Sequence, residues 1–180
     1  MSMNYSGTAT VTSPGSLVGG YPVETVLAEA AADANTDFAA GAVVILVPKG
    51  QDSPNVYTAR DTADSGVAEA GSIFGVAVAA VVDGAYGQFA IRGRVEVLTE
   101  GDTTAITVGM NLVPSLGVGS STPDERALVP IADMTTGGSV HNLRKVVGIA
   151  LEASSAAAGI ITVDFNGPEG FGTAITLTGA

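Results

Sequence analysis

The sequence predicts an all-β protein, with a barrel- or sandwich-like domain built from a duplicated β unit and an extended N-terminal arm. Three observations support this fold class. Short apolar runs are separated by turn residues at intervals typical of barrels and sandwiches. One β-rich pattern occurs twice along the 180 residues. The first part of the chain differs from the rest, because glycine and proline interrupt its apolar residues.

The repeated pattern is a glycine-led apolar run, then a turn, then a second strand-like run. Residues 75–80 (GVAVAA) are matched by residues 148–153 (GIALEA), 73 positions later. Residues 87–91 (GQFAI) are matched by residues 159–163 (GIITV), 72 positions later. A β-rich unit that is repeated without a catalytic constellation inside it indicates a structural or binding role.

An earlier pair of segments fits the same duplication. Residues 41–48 (GAVVILVP) resemble residues 109–114 (GMNLVP), 68 positions later. We therefore predict an N-terminal arm, a duplicated β domain with two copies, and a C-terminal tail. Their bounds are 1–35 for the arm, 36–166 for the domain with copies at about 38–98 and 106–166, and 167–180 for the tail.

Local patterns predict the individual elements. Residues 23–34 (VETVLAEAAADA) suit a helix, because Ala and Glu favour helices, or a strand entry VETV followed by a loop. Residues 42–47 form a β-branched run that Pro48 ends, which predicts a buried strand. Alternation and turn signals predict further strands at 55–59, 73–82, 88–91, 94–98, 104–113, 127–131, 146–153, 160–165 and, in the tail, 174–178.

Hydrophobic residues recur every few positions in the predicted arm. Because chain-breaking residues surround them, the alternatives are a disordered terminus and an extended segment that orders only against a neighbouring subunit. The second alternative makes these residues candidates for assembly contacts. They are Tyr5, Val11, Leu17, Val18, Tyr21 and Val23.

Two of the seven basic residues, Arg92 and Arg94, flank Gly93 between two predicted strands. One interpretation is a turn that carries two solvated guanidinium groups. The other is ion pairing with an acidic neighbouring chain, since guanidinium groups bind carboxylates well. Exposed pairs of this kind usually contribute little to stability.

Composition excludes several functional classes. The formal charge is −11, from 18 acidic and seven basic residues, and the basic residues are scattered. Acidic surfaces repel phosphate, so we expect no nucleic-acid partner. The chain has no cysteine, which excludes disulfides and thiolate metal sites. Only 14% of the residues are charged, against 46% hydrophobic, which favours a protein buried in an assembly.

No residue pattern marks an active site, and we expect neither enzymatic activity nor a cofactor or metal. His141 is the only histidine, and no nucleophile motif accompanies it. The acidic pairs at 61 and 64, 100 and 102, and 124 and 125 lack the regular spacing of a calcium loop.

We also expect no membrane partner and no export by a recognisable signal. The longest apolar run, residues 73–82, is too short to span a bilayer. The first ten residues carry neither a basic start nor an apolar core of signal-peptide length. Synthesis in the cytoplasm is the expectation.

The twice-used spacing resembles a known family. Gly-Val-Ala-x-x-Ala from Gly75, Gly-x-Phe-x-Ile from Gly87 and the segment 93–97 (GRVEV) are similar to the small capsid decoration, or cement, proteins of tailed bacteriophages. The resemblance covers roughly residues 38–166. It implies a β-barrel-like domain that binds the outer surface of an expanded icosahedral capsid and bridges its capsomers. It further implies a homotrimer whose partners are the major capsid protein and, through the arm, neighbouring copies.

A second hypothesis is a different virion or cell-surface β-module, such as a fibre, tail or adhesin domain that binds a receptor or glycan. Such a module is expected to expose aromatic residues. Tyr57, Tyr86 and Phe171 are the candidates.

Overall fold

The computed structural model describes residues 23–30, 37–48, 57–61, 73–99, 105–115, 126–131, 143–155 and 159–175. Within these ranges the chain forms β-strands and no α-helix, so the all-β prediction is confirmed. The strands are β1 (Glu24–Ala30), β2 (Val43–Pro48), β3 (Tyr57–Asp61), β4 (Ile73–Ala77), β5 (Tyr86–Thr99), β6 (Asn111–Pro114), β7 (Leu128–Pro130), β8 (Leu143–Val146), β9 (Gly148–Ala150), β10 (Gly159–Asn166) and β11 (Gly172–Ile175).

One large sheet closes on itself twice. The first ring has the order β1-β3-β2-β4-β5 and closes because β1 also pairs with β5. The second ring has the order β5-β10-β9-β6-β7 and closes because β7 also pairs with β5. The long strand β5 belongs to both rings, since residues 86–92 pair with β1 and residues 92–99 pair with β10. Each ring is a closed five-stranded barrel, and closure pairs the strand edges.

Strand register shows that the two rings repeat one unit. Val43 pairs with Val76 in the first ring, and Asn111 pairs with Ile149 in the second. The separations of 68 and 73 residues are those of the sequence repeat. The bridge between Phe38 and Val81 likewise corresponds to the bridge between Ile106 and Ser154.

The hairpins that end each copy also correspond. Val76 pairs with Ala90, and Ile149 pairs with Asp164. The second strand of this hairpin is therefore displaced by 74 residues, where the sequence pattern indicated 72. A displacement that differs by two residues keeps every side chain on the same face of the strand, because the side-chain period is two.

The first strand of each copy lies earlier than the sequence indicated. Ala30 of β1 pairs in parallel with Ala59, and Thr99 of β5 pairs in parallel with Leu128. The second half of β5 is thus the counterpart of β1. The copies begin near residues 23 and 92, rather than at 38 and 106.

Two causes account for that difference. Alanine and glutamate dominate β1, and neither favours strands, so the segment was equally compatible with a helix. In the second copy the first strand continues β5 without a turn, so the sequence assigned it to the end of the first copy. The residues of the predicted arm that the structure describes belong to the first ring.

A glycine turn before the second strand of each copy is the most closely repeated local feature. Gly41 and Gly109 have φ angles of 83° and 86°. The amide of Gly41 donates to the carbonyl of Ala77, and the amide of Gly109 donates to that of Ala150, both at 2.8 Å. Positive φ is accessible to glycine at little energetic cost, which explains the glycine that opens both segments of the sequence repeat.

Within the described residues there are two large apolar clusters and a small third one, which contains Val113, Val129 and Val146. The interior of the first ring contains Phe38, Val44, Leu46 and Phe89. The other large cluster combines the interior of the second ring with residues from the outer side of the first ring. From the second ring it includes Leu112, Val163 and Phe165, and from the first Val43, Ile45, Phe74 and Val76. This second cluster joins the two rings, and we call it the shared core.

A contact at the end of the first ring adds to this packing. The guanidinium of Arg126, from the second copy, lies 5.1 Å from the centre of the Phe38 ring and donates to the carbonyl of Asp37. The amide of Val43 donates to the carbonyl of Arg126 at 2.7 Å. Residues 126–127 therefore hold the second copy against the first.

The remaining two strands, β8 and β11, form a separate antiparallel pair beside the second ring. Strand β11 lies in the predicted tail, so residues 172–175 are part of the folded body. Lys145 of β8 is buried, and its Nζ donates to the carbonyls of Pro168 at 2.8 Å and Gly167 at 3.4 Å. These bonds hold the turn between β10 and β11 against β8.

Candidate interaction surface

Of the predicted assembly residues, Val23 is the one that the structure describes. Tyr5, Val11, Leu17, Val18 and Tyr21 lie outside the described residues. Val23 is buried in the core that the two rings share, together with Val43 and Ile45. Its side chain therefore packs within its own chain. Val23 directly precedes β1, the first strand of the first ring.

Arg92 lies where β5 passes from the first ring to the second. Its guanidinium is 2.8 Å from a carboxylate oxygen of Glu169 and 3.7 Å from one of Glu24. Its Nε donates to Oδ1 of Asn166 at 3.4 Å. The structure therefore gives Arg92 acidic partners from its own chain, at the start of β1 and in the turn after β10.

The segment around Gly93 is continuous strand, whereas the sequence suggested a turn. Gly93 has a φ of 113°, and the pairing of β1 with β5 shifts register between Glu24 and Thr25. The shift leaves Ile91 as the extra residue of a bulge, two positions before Gly93. A bulge bends a strand and increases its twist without ending it. This bend lets β5 leave one barrel and enter the next.

Arg94 lies opposite Asp164 in the antiparallel pair of β5 with β10. It is partly exposed, on the face of the second ring that is turned away from the ring interior. Oppositely charged residues in directly paired positions stabilise a sheet modestly. Arg92 and Arg94 therefore occupy one strand, but they lie beside different acidic residues.

Sequence reasoning missed an exposed apolar surface on the outer side of the first ring. In strand register, Leu27 of β1 lies opposite Gln88, whose carbonyl accepts the amide of Val78 at 3.1 Å. Tyr86 lies one row further along β5, opposite Glu29 of β1. Val82 follows in the connection between β4 and β5. We call Leu27, Val78, Val82 and Tyr86 the apolar strip.

Exposure of the strip is substantial. The exposed fractions are 48% for Leu27, 61% for Val82 and 54% for Tyr86. The Tyr86 hydroxyl donates to a carboxylate oxygen of Glu29 at 3.1 Å, so the acid beside the strip is already hydrogen-bonded. The signal in the sequence was Leu27. In β1 its side chain is exposed, between the partly buried Val26 and the buried Ala28, which does not fit the helical interpretation of residues 23–34.

The described residues contain no cluster of three or more His, Cys, Asp or Glu that would hold a metal ion. His141 and the acidic pairs of the sequence analysis lie outside the described residues, apart from Asp61 in β3. Burial lowers the pKa of Lys145, which Phe74 also contacts at 5.9 Å from its ring centre. The hydrogen bonds of its Nζ to two backbone carbonyls indicate a structural role for this lysine.

In the described part of the chain, no helix has the length and apolar character needed to cross a membrane.

Comparison with known proteins gives a distant likeness among solved structures. No family model matches the chain, and no curated protein matches it. Among solved structures, the chain resembles the N base of head fiber gp8.5 of bacteriophage phi29, with a TM-score of 0.42 and 17% sequence identity. The match covers 82% of this chain and 96% of that one. A likeness of this degree establishes neither a family nor a function.

Proposed function

We propose that this protein is a structural component of a phage virion that binds the outer surface of an icosahedral capsid and stabilises it by bridging capsomers. The supporting observation is the duplicated barrel body, in which the shared strand β5 and the common core join two closed rings. A bridging protein must transmit force between its contacts, and closed barrels with a shared core suit that task. We further propose that the role is not enzymatic.

Surface chemistry supports the same proposal. The net charge of −11 disfavours contact with packaged nucleic acid and suits a position outside the shell. The exposed apolar strip supplies a surface for protein contacts. Many copies on one shell act together, so each single contact with the capsid can be modest.

The partners in this proposal are the major capsid protein and further copies of the chain, assembled as a homotrimer, with the N-terminal arm reaching neighbouring copies. Of the proposed arm contacts, the described residues include Val23, which is buried within its own chain. In this proposal the contacts of the arm with neighbouring copies are therefore made by residues that precede Val23.

Co-sedimentation with expanded, DNA-free capsids of the phage that encodes the chain tests the function. We expect saturable binding at a fixed number of copies per capsid and a higher temperature of capsid disruption. Removal of residues 1–22 separates the contributions of the arm and the barrels. Absence of binding by the full-length chain, at concentrations that saturate ordinary protein interfaces, would contradict the proposal.

A fibre, tail or adhesin module is the second candidate. The observation in its favour is the exposure of Tyr86 and Phe171, since exposed aromatic side chains commonly contact receptors and glycans. Binding of the purified chain to host cells or to a glycan array, without binding to capsids, would favour this candidate.

A further inference from the structure

The outer faces of the two rings offer an internal comparison, because the duplication makes each position in one ring equivalent to a position in the other. In the first ring, one row of outward residues crosses the sheet through Thr25, Ala90, Val76 and Val43. All four are buried, because the second copy packs against them. The equivalent row of the second ring is Arg94, Asp164, Ile149 and Asn111. Residues on this face are thus mainly apolar where protein covers them and mainly polar where they meet solvent.

The apolar strip continues the covered face of the first ring. Leu27, Gln88 and Val78 form the next row, directly beside Thr25, Ala90 and Val76. No other part of the described chain covers this next row, so Leu27 and Val78 are exposed. The strip is therefore an extension of an interface that already exists inside the molecule.

Three positions near the strip differ in polarity between the two rings. Tyr86 in the first ring and Ile160 in the second are equivalent, and both are exposed. Ile160 lies opposite Leu98, whereas Tyr86 lies opposite Glu29. At three other positions near Ile160 the second ring carries polar residues: Glu96, Glu152 and Ser155. Their counterparts around Tyr86 are Leu27, Ala79 and Val82. Three positions that are polar in the second copy are thus apolar in the first copy.

We infer that the apolar strip is the surface through which the chain associates with a second copy of itself. The inference rests on the proposed function, because it assigns a location to the self-association proposed there. The face that the strip extends already packs against a second copy of this same barrel unit within the chain. Glu29, one of the acids beside the strip, accepts a hydrogen bond from the Tyr86 hydroxyl, so its carboxylate has a partner within its own chain.

Light scattering after size-exclusion chromatography measures the oligomeric state and tests the inference. The variants carry, at strip positions of the first ring, the residues that occupy the equivalent positions of the second ring. We expect the wild-type chain to form an oligomer. The variant Leu27→Glu should weaken association about tenfold or more, because burial of a leucine is lost and a charge is added. Val82→Ser should weaken it by a smaller factor. Glutamate is accommodated at the equivalent position, Glu96, so folding of the first variant is expected to be intact and is checked by thermal melting.

Val108→Glu is the matched control. Val108 is an exposed apolar residue of the second copy, outside the strip, so its substitution should leave the oligomeric state unchanged. A wild-type chain that stays monomeric at every concentration would overturn the inference. So would an oligomer that Leu27→Glu does not weaken, or one that Val108→Glu weakens equally.

Capsid binding, measured on the same variants, separates this inference from the proposed function. Capsid binding by a monomeric wild-type chain would leave the function standing and overturn the inference. If that binding were lost in Leu27→Glu, the strip would face the capsid rather than a second copy. An oligomer that Leu27→Glu weakens, without any capsid binding, would support the inference and contradict the function.

Discussion

The outer faces of the two barrels differ at positions that the duplication makes equivalent. Ala90 of the first ring is fully buried beneath the second copy, whereas its counterpart Asp164 is partly exposed. Val43 is buried, whereas its counterpart Asn111 is exposed. The interiors remain apolar in both rings. The outer face of the repeated unit is therefore mainly apolar in the copy that is covered by protein and mainly polar in the copy that is exposed to solvent.

The largest expected effect comes from exchanging the residues of one such pair. Ala90→Asp places an unpaired carboxylate in the shared core and should lower the free energy of unfolding by about 3–5 kcal/mol. Asp164→Ala removes a partly exposed carboxylate opposite Arg94 and should change it by less than about 1 kcal/mol. Chemical denaturation of both variants measures the difference. Equal losses would show that the two faces are covered to the same extent.

Ala90→Asn controls for size in that comparison. Asparagine matches aspartate in shape and carries no charge, so it should destabilise the protein less than Ala90→Asp does. If both variants were equally destabilised, overpacking would be the cause and the comparison would report volume rather than polarity.

The inward-facing glycines Gly75 and Gly148 form a second equivalent pair. An added Cβ at Gly148 would lie 2.7 Å from a methyl of Val163 and 2.9 Å from one of Leu128. At Gly75 it would lie 2.8 Å from the terminal methyl of Leu46, a side chain with more freedom to move. Gly148→Ala should therefore cost about 1–3 kcal/mol of stability, and Gly75→Ala less. Thermal and denaturant unfolding of the two variants provide the test, and a larger loss at Gly75 would contradict it.

Sequence reasoning predicted the fold class because the signals for it were local. The opening glycines Gly41 and Gly109 occupy the same turn in both copies, so glycine spacing located the repeat. The first strand of each copy depended on pairing between distant segments. Residues 24–30 are strand because they pair with β3 and β5, and their own composition does not distinguish strand from helix. The apolar strip was missed for the same reason, since the orientation of Leu27 follows from that pairing.

Ion pairing of Arg92 with a neighbouring chain was one of two interpretations of the sequence, and the structure gives Arg92 acidic partners within its own chain. Whether it also contacts a second chain stays a prediction. The sequence placed a turn at residues 92–94, since two arginines around a glycine are typical of exposed turns. Strand β5 instead continues through Gly93, which has a positive φ two residues after the bulge at Ile91. A glycine in such a strand has the same sequence signature as a glycine in a turn.

Arg92 joins the start of the first copy to the end of the second, and its substitution should have a small effect. Its side chain and those of Glu24 and Glu169 are 41%, 43% and 74% exposed. Arg92→Gln should lower the free energy of unfolding by about 1 kcal/mol or less, and added salt should reduce the difference from wild type. A double-mutant cycle with Glu169→Gln isolates the closer pair. A coupling that high salt does not reduce would show that the pair is shielded from solvent.

The strand pair β8–β11 contains a buried lysine, and its effect on stability should depend on pH. Burial lowers the pKa of Lys145 from its ordinary value of 10.5 in the folded state. Between that lowered pKa and 10.5, the unfolded chain binds more protons at this site than the folded chain does. Stability must then rise with pH across this window, because burial of the charged ammonium is unfavourable and is relieved as the folded protein releases its proton.

Comparison with Lys145→Met isolates this contribution, since the other titrating groups are common to both proteins. Methionine keeps an unbranched side chain of similar length at this position and removes the titration. The stability of wild type relative to the variant should increase from neutral pH towards pH 10.5, by a smaller amount than any change above. Denaturant unfolding at several alkaline pH values measures it. A relative stability that falls with pH would mean that the carbonyls of Gly167 and Pro168 stabilise the charged lysine more than burial disfavours it.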